Sequence, residues 1–97
     1  MLTVVTVFDV VADDVDAVAR AAASTRQDAL REPGCCGFEV HRDRYSDGFV
    51  LIQRYRDTAA SQTHDTVSLV ADLETHIAAS IVPGSRRTIE SHTEDHP

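Results

Sequence analysis

Residues 2–11 read Leu-Thr-Val-Val-Thr-Val-Phe-Asp-Val-Val, and apolar side chains stand next to one another at Val4 and Val5, Val7 and Phe8, and Val10 and Val11. The run is β-branched, carries an aromatic residue and lacks Gly and Pro, so it predicts a strand. Neighbours on a strand point to opposite faces, so this strand asks for cover on both sides. Phe49-Val50-Leu51-Ile52 makes the same demand. A chain of 97 residues is one domain, and it offers only two helical stretches, enough to cover one face of a sheet. A second copy is the simplest cover for the other face. That predicts an isologous homodimer with sheets face to face, the alternative being a monomer with a half-exposed sheet.

The remaining elements follow from periodicity and punctuation. Asp13 or Asp14 offers an N-cap, and Val15, Val18, Ala22 and Ala29 recur at helical spacing to about Arg31. The inward residues are mostly small, which predicts close packing on a sheet. Pro33-Gly34 stops this helix. Strands at 37–44 and 49–56 flank a turn at Tyr45-Ser46-Asp47-Gly48. That turn would place Arg44 opposite Phe49, Val40 opposite Gln53, Glu39 opposite Arg54 and Phe38 opposite Tyr55. Thr58 is positioned to cap a helical stretch over 59–80 that shows Val67, Val70, Leu73, Ile77 and Ile81 on one face, with a break expected near His64. Pro83-Gly84 ends it, and residues 86–92 predict a last strand. The order is βαββαβ. The predicted fold is an α+β, ferredoxin-like antiparallel sheet with two helices on one face, over residues 1–92, with 93–97 as a frayed tail.

Composition narrows the partners. Nine basic residues, all Arg, face sixteen acidic ones, for a net charge of −7. Such a surface repels phosphate backbones, so no nucleic acid is expected. No apolar run approaches the length of a membrane span, and no basic residue precedes Arg20, so neither membrane nor secretory leader is expected and the reading is cytoplasmic. Cys35 and Cys36 are neighbours, without disulfide-framework or redox-motif spacing; one buried and one partly buried thiol is the ordinary reading. No usual metal spacing is present, so no metal is expected. Arg42, Arg44, Arg54 and Arg56 lie among Glu39, Asp43 and Asp47 and read as a salt-bridged surface.

Candidate chemistry centres on His64, which lies one turn before Val67 and is expected to point toward the sheet. A neutral imidazole takes up a proton near pH 7, which suits a general base; a capping or core-edge histidine is the plainer reading. Tyr55 and Gln53 share a strand face and are candidates to bind substrate, one donating to an oxygen and the other orienting it, or else to serve as core and dimer seam. Thr6 and Phe38 are further candidate substrate contacts. His41 is read as interfacial or exposed, His76 as lying at the boundary of the Leu73/Ile77 stripe, and His92 as solvated near the frayed end.

Taken together, these residues resemble the antibiotic biosynthesis monooxygenase (ABM) domain family. Glu32-Pro33-Gly34-Cys35 looks like that family's turn between the first helix and second strand. Phe38-Glu39-Val40-His41 sits where members carry an aromatic, Glu, an aliphatic and often His. The run from Phe49 to Asp57 resembles the third strand, with Gln53 in place of the usual Glu and Tyr55 in place of the usual Trp. His64 falls at the family's helix histidine. The resemblance implies a dimeric α+β barrel with a pocket between sheet and helices. It implies a cofactor-independent monooxygenase acting on an aromatic, phenolic or quinol-like molecule, with His64 as base and no cofactor. A non-enzymatic small-molecule-binding dimer, or an isomerase or lyase of a small metabolite, is the alternative. Haem degradation is disfavoured: family members with that activity use an Asn, a Trp and a proximal His where this chain offers Thr6, His64 and Leu73.

Overall fold

The computed structural model describes residues 1–61 and 64–93; in the second stretch, side chains are described from residue 69 onward. Four strands, β1 (Leu2–Asp9), β2 (Cys35–Arg42), β3 (Gly48–Tyr55) and β4 (Arg87–His92), form one antiparallel sheet in the order β2-β3-β1-β4. Helices α1 (Val15–Ala29), α2 (Thr58–Ser61) and α3 (His64–Ile77) complete the chain, with short 3-10 turns at Ala12–Asp14 and Ala78–Ser80. This is the ferredoxin-like α+β arrangement that the order of elements implied. No helix among the described residues is long and apolar enough to cross a membrane.

Helix α1 buries Val15, Val18, Ala22 and Ala29, the residues its periodicity selects. Ala22 and Val18 lie against Phe8 and Phe49, whose rings stack with centroids 5.7 Å apart. Leu73 and Ile77 of α3 close this cluster from the other side. A second cluster joins Leu2, Ala29, Cys35, Phe38, Tyr55 and Ala60. Gly34 is required beside this second cluster, because a Cβ there would overlap the Ala60 side chain of α2. Its role is close approach, since its φ is not positive, unlike that of Gly84 at 80°.

Several local expectations are corrected. The hairpin pairs Phe38 with Gln53, Val40 with Leu51 and Arg42 with Phe49, two residues away from the expected register. The loop is longer than the expected four-residue turn because its own side chains bind backbone: Asp43 Oδ1 accepts the Tyr45 N–H at 2.7 Å and Ser46 Oγ accepts the Gly48 N–H at 3.1 Å. An even offset leaves every side chain on its expected face, and Arg54 still pairs with Glu39, diagonally. Helix α1 ends at Ala29 rather than Arg31. Asp14 makes no side-chain cap; its Oδ2 instead accepts the Ser80 hydroxyl at 2.9 Å. Asp57, not Thr58, caps α2, with Oδ1 accepting the Ala60 N–H at 2.7 Å. Strand β2 begins at Cys35 through a bulge between Cys35 and Gly37, and the extra residue, Cys36, is exposed rather than partly buried. The first strand ends at Asp9, and Val10 makes an isolated bridge to Ile81. Thr93 donates its N–H to the Met1 carbonyl at 2.9 Å; the rest of the expected frayed tail, 94–97, lies outside the described residues.

Of the hairpin arginines, Arg54 keeps its expected partner, Arg42 and Arg56 meet acids other than Asp43 and Asp47, and Arg44 meets a ring in place of an acid. Arg42 meets Asp16 at 3.5 Å, Arg56 meets Asp57 at 3.8 Å and Arg54 meets Glu39, while Arg44 lies over the Tyr45 ring. The sheet face opposite the helices carries Val5 beside Ile52 and Ile89, and Val7 beside Val50, each from a neighbouring strand. Ile89 is half exposed there.

Candidate functional site

Leu2, Val4 and Thr6 of β1 point toward the helices, as do Gln53 and Tyr55 of β3 and Thr88, Glu90 and His92 of β4. Register explains the grouping: β1 pairs Leu2 with Tyr55 and His92, Val4 with Gln53 and Glu90, and Thr6 with Thr88. Above this half of the sheet, Thr58 and Ser61 of α2 and Val70, Ala71 and Glu74 of α3 do not descend to fill the space. A cavity of about 390 Å³ remains between the two layers. Its lining mixes aliphatic walls with hydroxyls, one amide, the Glu90 carboxylate and the His92 ring, and Arg86 also lines it, donating to Glu74 at 2.5 Å.

The floor is an ordered polar set. Thr6 and Gln53 are the buried polar residues of the described chain. The Thr6 and Thr88 hydroxyls lie 3.3 Å apart, so one donates to the other and one proton remains for a third partner. The Tyr55 hydroxyl donates to Gln53 Oε1. Burial, with a smaller contribution from the Cys35 thiolate's charge, pushes the Tyr55 phenol up to about 12. The phenol therefore stays neutral, as a donor, throughout the physiological range. Burial also pushes the Cys35 thiol up, and that sulfur donates to the Gly37 carbonyl at 3.4 Å.

Of the residues singled out from sequence, Thr6, Gln53 and Tyr55 meet at this cavity. Phe38 does not line it; at 1% exposure it packs beside Tyr55 in the second core cluster. His64 opens α3, between Ser61 and Val70 of the lining, but its side chain lies outside the described residues. His41 is exposed on the open sheet face, 3.1 Å from Glu39 Oε1; the Arg54 guanidinium, and then His41, hold the Glu39 carboxyl below its usual value. His76 is exposed. His92, expected near a frayed end, is in β4 and lines the cavity, though exposed. Sequence reading missed Thr88, Glu74, Arg86 and Glu90. The alternation of β4 against β1 would have placed Thr88 and Glu90 on the face of Thr6, had that pairing been known.

A family model described as antibiotic biosynthesis monooxygenase matches residues 1–68. Solved structures share the fold at low identity. A Nitrosomonas europaea protein provisionally named an antibiotic biosynthesis monooxygenase is 18% identical, with 96% of this chain and 98% of that chain covered, at a TM-score of 0.78. A Deinococcus radiodurans protein of the same provisional name is 12% identical, with 100% and 96% covered, at 0.77. A conserved protein from Methanosarcina mazei is 12% identical, with 96% and 92% covered, at 0.76. Among curated proteins, none matches the chain.

Proposed function

Because the chain belongs to the antibiotic biosynthesis monooxygenase family, we propose that it is a small cofactor-independent monooxygenase acting on an aromatic, phenolic or quinol-like molecule. The observation that carries this reading is the cavity of about 390 Å³ with aliphatic walls and Thr6, Gln53 and Tyr55 on its floor. That volume falls in the range of small-molecule sites. In this reading a planar ring lies against Val4 and Val70, and its oxygen substituent meets the Tyr55–Gln53 pair. His64 takes the phenolic proton, leaving an electron-rich anion able to pass an electron to oxygen. The Val4 and Val70 side chains keep water from that anion.

The working unit in this proposal is a homodimer with sheets face to face, supported by Val5, Val7, Val50, Ile52 and Ile89 on the uncovered side. The free thiols of Cys35 and Cys36 suit a reducing compartment such as the cytoplasm.

The test is incubation of purified, metal-free protein with anthrone and hydroquinone under labelled oxygen. Label should enter product faster than in buffer, and His64→Ala should abolish the difference. A rate equal to buffer for every compound rejects the enzymatic reading. Sedimentation at micromolar concentration should give twice the 10.6 kDa chain mass; a monomer alone rejects the dimer.

A further inference from the structure

An amide side chain offers a cavity either its oxygen or its nitrogen, and the two select opposite ligands. At Gln53 the choice is made by a neighbour. Tyr55 is 2% exposed, and among the described residues its hydroxyl has one partner, Gln53 Oε1. Turning the amide over would give the phenol a donor to face and strip its own proton of an acceptor, in a site where leaving a polar group unpaired is costly. The amide is thereby held with Oε1 toward the phenol. No described residue accepts from Gln53 Nε2, yet no fully enclosed side-chain nitrogen or oxygen among the described residues lacks a partner. Gln53 lines the cavity, so the amide edge turned away from the phenol faces that space.

We propose that Tyr55 is a positioning residue that locks the Gln53 amide with its N–H groups toward the cavity. The site then prefers a ligand oxygen that accepts at that point, as a carbonyl or a deprotonated phenol does, over one that keeps its O–H pointed there. The inference rests on the cavity being the ligand site, and it adds a polarity to it. The elevated Tyr55 pKa keeps the lock closed well above neutral pH. Replacing the usual family Glu and Trp by Gln53 and Tyr55 thus alters what the site reads: a carboxylate presents acceptors only, whereas this pair presents donors.

The experiment is a titration of the full chain, followed by amide and methyl resonances, with 1-tetralone, which only accepts, and 1-naphthol, which donates. In the wild-type protein the Gln53 side-chain N–H₂ resonances should shift with tetralone. In Tyr55→Phe, where the amide is free to turn, the tetralone-to-naphthol affinity ratio should fall about threefold to tenfold, the equivalent of one hydrogen bond. An unchanged ratio overturns the lock while leaving the cavity reading intact. Wild-type cavity resonances that move with neither probe overturn both. Should Tyr55→Phe fail to fold, the wild-type signal decides: Val4 and Val70 methyls that shift with tetralone while the Gln53 N–H₂ stays still overturn the proposal.

Discussion

Two places on the same pair of strands contrast sharply. Phe8 faces Phe49 across β1 and β3, and four residues earlier on β1 Val4 faces Gln53. Both pairs point inward, under helices. At the first, two stacked rings meet Val18, Ala22, Leu73 and Ile77, and only about 10 Å³ is left empty beside them. At the second, the smaller and more polar side chains leave a cavity. One sheet thus serves as a core at one end and as a receptacle at the other, and residue choice at inward positions makes the difference. A filled layer answers to volume; a hollow one answers to hydrogen-bond partners.

The largest expected effect comes from emptying the filled end. Phe49→Ala should cost about 3–5 kcal/mol in urea unfolding, whereas Thr6→Val at the hollow end should cost no more than about 1 kcal/mol. Equal losses would dissolve the contrast. Gly34→Ala comes next. Its methyl would collide with Ala60, and the strain should cost about 1–3 kcal/mol. An unchanged midpoint would show that α2 shifts freely over the cavity.

The hollow end has a pH signature of its own. The unfolded chain loses the Tyr55 proton near pH 10, while the folded chain holds it to about 12. Between those values the unfolded state binds fewer protons, so stability falls as pH rises through the window and levels off above it. Tyr55→Phe should flatten that limb in alkaline unfolding curves, and an identical slope would deny the phenol its buried, neutral state. The smallest effect sharpens the boundary at the bulge. Exposed Cys36 should react with iodoacetamide in the folded protein, and buried Cys35, its thiol pushed up by burial, only on unfolding. Mass mapping that finds both labelled at once would contradict this.

The filled end was the more legible from sequence. Val15, Val18, Ala22 and Ala29 announce their face by spacing alone, because helical periodicity is local. Phe8, Phe49 and Leu51 are inward by strand alternation. On the hollow side Thr6, Gln53 and Tyr55 were within reach for the same reason. Glu74, Arg86, Thr88 and Glu90 were not. They carry no apolar pattern; every residue of β4 is exposed, and the places of Thr88 and Glu90 depend on a pairing with β1 across most of the chain. Gly34 was legible as a helix stop, but its contact with Ala60 is tertiary, and no local pattern encodes it. The hairpin register was missed because Asp43 and Arg44, expected in the ladder, join the loop, where Asp43 and Ser46 side chains hold the Tyr45 and Gly48 N–H groups.

Parity, more than the particular pairing, decides which face of this hairpin is buried. A nascent hairpin closed two residues out of step still buries Phe38 and still turns Glu39 and Arg54 outward. The pairing of Phe38 with Gln53 is one of the even alignments that keep the same face buried. A slip of one would invert β2, so the alternation itself proofreads odd errors and forgives even ones.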